Sequence, residues 1–179
     1  DFTSSGGVKL TLADGIQTSF SIGTKETAVN EQQAQDMAAD ISEMYGYAKD
    51  ATTTGGAGKS VYWVRNSYST NEENSLRWAV EQADAASGGI ILFHPRGYFN
   101  IHLTEQLEIP ANVTLDAPGR NVQIWAPYDV TQMKVVGANV IIRRLSFGAS
   151  ANFQSSTERD ALWIEPSLAD KVWVDQCSF

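Results

Sequence analysis

The sequence predicts an all-β fold, a solenoid of short parallel β coils, and three observations carry that prediction. Short β runs recur over the second half with turn residues between them: Val113–Leu115, Val122–Trp125, Lys134–Val136, Val140–Ile142, Leu162–Ile164 and Val172–Val174. No long helical crossover fits between these runs, which disfavours a doubly wound sheet and leaves a sandwich or a solenoid. An internal repeat then chooses the solenoid. Asn139-Val-Ile-Ile-Arg-Arg-Leu-Ser-Phe147 aligns without a gap with Lys171-Val-Trp-Val-Asp-Gln-Cys-Ser-Phe179, and Asn112-Val-Thr-Leu-Asp116 opens in the same phase. One coil per roughly 20–30 residues is the repeat size of solenoids.

The chain divides into an N-terminal extension, residues 1–60, and a repeat-bearing part, residues 61–179. Within the first 26 residues, extended segments (Val8–Leu12, Thr18–Ile22) are broken by glycines. Residues 30–46 read as one helix. Asn30 can cap it with Gln33 at capping-box spacing, and Ala34, Met37, Ile41 and Met44 make an apolar stripe. Gly46 is the expected stop. The run Ala51-Thr-Thr-Thr-Gly-Gly-Ala-Gly58 then reads as a linker, with little to bury and much backbone freedom to lose.

A second helix is expected over Ser75–Ala86, with Asn74 as the cap and Leu76, Val80 and Ala83 as its narrow apolar face. Gly88-Gly89 ends it, and Ile90–Phe93 follows as a fully buried β run. Stacking the repeats places Val113, Val140 and Val172 in one inward column and Leu115, Ile142 and Val174 in the next. The same register puts Asp116, Arg143 and Asp175 in one column of alternating charge, where opposite signs on neighbouring strands attract. Trp163 and Trp173 take the opposite parity from the inward aliphatics and should point outward, to pack under other segments or to stack on sugar rings.

Composition narrows the function. The formal net charge of −8 argues against a duplex nucleic-acid binder, which needs cations to displace counterions from phosphates. It argues less against an anionic polysaccharide, because calcium can bridge carboxylates on the two partners. No apolar run approaches the roughly 18–20 residues of a membrane span. The single cysteine, Cys177, excludes an internal disulfide framework and reads as a buried thiol. A start at Asp1 suits a mature secreted product or a trimmed chain.

Several motifs resemble those of the pectate lyases, in the pectin lyase-like superfamily. Asn74-Ser-Leu-Arg-Trp-Ala-Val80 is similar to the family's capping-helix signature. Ile90–Phe93, Leu107–Asp116 and Pro118-Gly-Arg120 resemble the opening of its β-helix, and Asn139–Arg143 and Lys171–Asp175 its two best-known rungs. The resemblance spans residues 61–179 and implies a right-handed, single-stranded parallel β-helix with an N-terminal capping helix, ending here after its first few coils. The implied activity is calcium-dependent β-elimination on polygalacturonate by a secreted enzyme. Calcium would be held by the acidic pair Glu158 and Asp160, just before Ala161–Ile164. The resemblance places the catalytic arginine in rungs after Phe179, so no catalytic residue is assigned. An open coil end would be covered by self-association or by a complementary C-terminal part.

The chain also departs from the family. Gln176 stands where histidine is usual, and Arg144 where asparagine is usual. Gln176 is expected to keep a supporting hydrogen bond and to lose titration near neutral pH. Arg143 is read as a structural ion-pair member rather than a base. The alternative function, from another class, is a non-catalytic β-helix module that binds acidic glycan or mediates assembly. Other motifs carry less. Gly55–Ser60 lacks the phosphate-loop frame, His94 and His102 are too isolated for a zinc site, and the acceptor pattern Asn112-Val-Thr114 falls in a rung.

Overall fold

The computed structural model describes residues 7–11, 17–21, 29–127, 131–148 and 160–179. Strands β1 (Gly7–Thr11) and β2 (Gln17–Ser21) form an antiparallel pair. Helices α1 (Glu31–Ala39) and α2 (Gly46–Asp50) precede β3 (Val61–Val64), and α3 (Leu76–Ala85) follows it. Then come β4 (Gly89–Phe93), β5 (Phe99–His102), β6 (Leu107–Ile109), β7 (Val113–Asp116), β8 (Val122–Trp125) and β9 (Met133–Val135). The last are β10 (Val140–Arg143), β11 (Ser146–Phe147), β12 (Leu162–Ile164) and β13 (Val172–Asp175).

From β4 onward the chain winds through three parallel sheets in turn. One is five-stranded, ordered β13-β10-β7-β4-β3, and two are three-stranded, β11-β8-β5 and β12-β9-β6. Each circuit therefore adds one strand to every sheet, which makes a parallel β-helix of about three turns. The internal repeat sets the register: Val140 pairs with Val113 and Val172, and Ile142 with Leu115 and Val174. The repeat extends past the strand, where Ser146 bridges Ser178. Alternate residues of all three sheets point inward, and Ile91, Ile101, Leu107, Leu115, Ile124, Met133 and Ile142 share one core.

Turns between coils repeat as well. Asn112, Asn139 and Lys171 each precede a strand of the large sheet with a positive φ near +58°, +60° and +54°. Asparagine tolerates this left-handed geometry better than most residues. Asn139 Nδ2 donates to Asn112 Oδ1 at 2.9 Å, so the two amides form a short ladder. Asn112 is thus half-buried inside the stack, a poor place for a glycan despite the acceptor pattern.

Helix α3 closes the first coil. At this end the sheet of β3 extends one strand further than the other two, and α3 packs against β3 and β4. Its buried Leu76, Ala79, Val80 and Ala83 join Val64, Ile91 and Phe93 in the solenoid core. Ser75 caps the helix, its side chain accepting from the Trp78 amide at 3.1 Å, whereas the expected cap Asn74 has φ +65° and lies one residue outside.

The N-terminal extension departs most from expectation. The capping box of Asn30 and Gln33 forms, with both bonds at 2.9 Å, yet α1 ends at Ala39. Gly46 starts α2 at φ +64° instead of ending a helix. The stripe also divides. Ala34 and Ala38 pack on Ile90 and Leu92, while Met44 and Ala48 pack on Ile141 and Trp173. Both helices thus lie on the outer face of the five-stranded sheet, with Ile41 exposed between them.

Residues 51–58 are a fitted strap rather than a linker. The amides of Thr54 and Gly55 donate to Asn139 Oδ1 at 2.7 and 2.9 Å, and that of Gly56 donates to Thr114 Oγ1 at 3.0 Å. A Cβ on Gly56 would come 2.1 Å from the Gly89 carbonyl oxygen, so only glycine permits this approach. These engaged amides are unavailable to a phosphate.

Candidate functional site

Two outward columns matter, and the fold treats them in opposite ways. On the five-stranded sheet, Arg143 lies in register between Asp116 and Asp175. Arg143 Nη2 meets Asp116 Oδ2 at 3.0 Å and also donates to the carbonyls of Met37 and Ala38, both at 2.8 Å. Its Nη1 donates to the Asp40 carbonyl at 2.7 Å. Arg144 Nε donates to Asp116 Oδ1 at 2.8 Å, and its Nη2 contacts both Asp116 and the Met37 carbonyl. The two guanidinium groups therefore cap the C-terminal end of α1, which has no basic residue in its own last turn.

This cluster is sealed. Asp116 is fully buried and Arg143 and Arg144 nearly so. Burial pushes the Asp116 carboxyl upward, against the pull of Arg144 and Arg143. Burial likewise draws the Arg143 guanidinium downward, with Asp116 opposing. A group closed beneath α1 and stacked on Trp173, with Cζ 5.2 Å from the ring, cannot reach a polysaccharide. Arg143 holds the extension to the coils. Gln176, exposed at φ +52°, hydrogen-bonds Arg120 and donates from Nε2 to Asp175 Oδ2 at 3.2 Å. Arg144 takes the corresponding left-handed position one coil earlier, at φ +59°.

On the outer face of the β12-β9-β6 sheet, Glu108 and Trp163 are exposed and Lys134 is half-buried. Glu108, Lys134 and Trp163 stand side by side across it in register. Lys134 Nζ lies 2.9 Å from Glu165 Oε2 and 6.0 Å from the centre of the Trp163 ring. Hydrogen bonds from Lys134, and from Ser167 Oγ at 3.0 Å, hold the Glu165 carboxyl below its ordinary range. Trp163 is 44% exposed, whereas its counterpart Trp173 is 5% exposed beneath Met44 and Ala48. Sequence parity sends both outward and cannot tell them apart; the cover comes from α2 and from Met44 just before it.

Asp160 lies two residues before β12, at the margin of this face. Its side chain is exposed, and its carbonyl accepts the Gln132 amide at 3.1 Å. Glu158 lies outside the described residues. Calcium takes six to eight oxygen ligands, and an exposed carboxylate suits it. Gln132 Oε1 is a buried amide oxygen with no hydrogen-bond partner among the described residues. Among the described residues no three acidic, histidine or cysteine side chains converge, so Asp160 would contribute only part of a site. His94 contacts Glu31 at 3.3 Å and His102 stacks on Trp125, so the two histidines serve separate local contacts.

A cavity of about 360 Å³ lies between α3 and β6, with Val80, Leu107 and Val136 among its apolar lining and Arg77, Glu81 and Glu108 among its charged lining. Among the described residues no helix is long and apolar enough to cross a membrane. No family model matches this chain, and neither a curated protein nor a solved structure does.

Proposed function

We propose that this chain belongs to a secreted, calcium-dependent lyase that cleaves polygalacturonate by β-elimination. The observation that carries the reading is positional. The rung motifs behind the resemblance fall in register on one parallel β-helix, and Asp160 lies just before β12, whose exposed Trp163 stands beside the Lys134 ammonium of β9. An extended polysaccharide needs a long uncovered face, and the parallel face of the large sheet is closed by α1 and α2.

Calcium held by Asp160 and Glu158 would supply a positive charge that acidifies the proton beside the uronate carboxylate. The residues of this chain would bind and orient the sugar: Asp160 at the margin of the face, Trp163 and Lys134 along it. The resemblance implies an arginine base, and Arg143 and Arg144, both committed beneath α1, would not supply it.

The test follows the ultraviolet absorbance of the unsaturated product, with polygalacturonate, calcium and then chelator. It compares this chain and the natural product that carries it with their Asp160→Asn variants. A chelator-sensitive rise, reduced tenfold or more by Asp160→Asn, is expected in the natural product. Retention of polygalacturonate with no product from either protein would replace the lyase with a non-catalytic glycan-binding module. Neither product nor retention would overturn both readings.

A further inference from the structure

The polyuronate reading places Trp163 and Lys134 along the sugar without saying which part of it each one meets. Trp163 keeps nearly half its surface in water at the centre of a strand, while the equivalent Trp173 is covered by another segment. Large aromatic surface that is left uncovered beside ordered polar groups marks a binding surface. Lys134 is the neighbouring cation. Its ammonium carries three donors. Glu165 engages it at 2.9 Å and the Trp163 ring lies 6.0 Å away, which leaves donor capacity facing solvent. Glu108, on the far side of Lys134 in the same row, repels an anion approaching from there. An anionic sugar is thereby directed to the Trp163 side.

We propose that Trp163 and Lys134 form a subsite for one uronic acid unit, the ring lying on the indole and the carboxylate meeting the ammonium. Lys134 sets specificity for the charged over the methyl-esterified sugar, and Glu165 holds the ammonium in place while tempering its charge. The subsite uses no metal. The proposal rests on the polyuronate reading for its ligand, but its test is independent of cleavage.

Calorimetric titration of the chain with a galacturonate oligomer and with its methyl ester, both in chelator, measures the subsite directly. Trp163→Ala is expected to weaken binding of both oligomers about tenfold, with Trp163→Phe recovering part of the loss. Lys134→Met is expected to weaken the acid oligomer about tenfold and leave the ester unchanged, while Glu165→Gln tightens the acid oligomer. Thermal melts of the variants separate these effects from misfolding, since Trp163 is exposed. Equal binding by the parent and Trp163→Ala, or no binding by the parent in chelator, would overturn the subsite. Equal losses for acid and ester with Lys134→Met would overturn the role of Lys134. If the subsite holds and no unsaturated product forms with calcium, the lyase reading alone fails. If product forms and Trp163→Ala binds normally, the subsite alone fails.

Discussion

Lys134 and Glu165 meet across two strands because the Glu165 amide donates to the Val135 carbonyl at 3.0 Å, which brings the residue after β12 beside β9. The pair is partly exposed, so salt screens it and its contribution to folding is small. Its titration remains informative. Glu165 in the fold loses its charge at a lower pH than in the unfolded chain, so the pair's contribution is full above the ordinary carboxyl range. It is lost as the pH falls through the depressed folded value. Carboxyl NMR should place the Glu165 midpoint below that of a free glutamate and return it to the ordinary range in Lys134→Met. An ordinary midpoint in the parent chain would show that the ion pair does not persist. Neither partner was legible as a pair in the sequence, since the contact depends on the winding of two successive coils. Trp163 and Trp173 make the same point: local parity sets the face, and a distant segment decides which ring is covered.

At the scale of elements, some strands were legible from the sequence and others were not. Runs of consecutive apolar residues such as Ile90–Phe93 and Val140–Ile142 stood out, whereas β5, with only Phe99 and Ile101 buried, and the brief β11 did not. Helix α1 revealed its start through the capping box but not its end. A continuous stripe read as one helix because the alternative, two short helices each fitted to a different pair of strands, is dictated by the sheet beneath. The end of α1 is capped from β10 and the turn after it, where Arg143 and Arg144, held around Asp116, donate to its last carbonyls. Asp116→Asn would leave two buried guanidinium groups without their carboxylate, and losing one partner of a buried ion cluster costs about 3–5 kcal/mol. The urea midpoint should fall accordingly, with hydrogen exchange increasing first in α1. A loss below about 1 kcal/mol would mean that the carbonyls of α1 already satisfy the arginines.

The whole molecule is built by repetition, so identical residues on successive coils test how stability is distributed. A solenoid coil contacts chiefly its neighbours, and its stability is approximately a sum of coil and interface contributions. Val113, Val140 and Val172 occupy one inward column in register. Val113 and Val140 are completely buried between coils, whereas Val172, on the outermost strand of the large sheet, is only partly buried. Replacing valine by alanine removes about two buried methyl-sized groups, or roughly 1.5–2 kcal/mol before any cavity cost. Val113→Ala and Val140→Ala should therefore lower stability by about 2 kcal/mol each, and Val172→Ala by about half as much. Urea unfolding followed by far-ultraviolet circular dichroism measures the three values on the same chain. Their order carries the argument more than their size. If Val172→Ala costs as much as Val140→Ala, then β13 is covered in solution by more than its own coil, as a second copy of the chain would do. Repeating the unfolding at several protein concentrations would decide that point, because an assembled coil end makes stability rise with concentration and a free one leaves it constant.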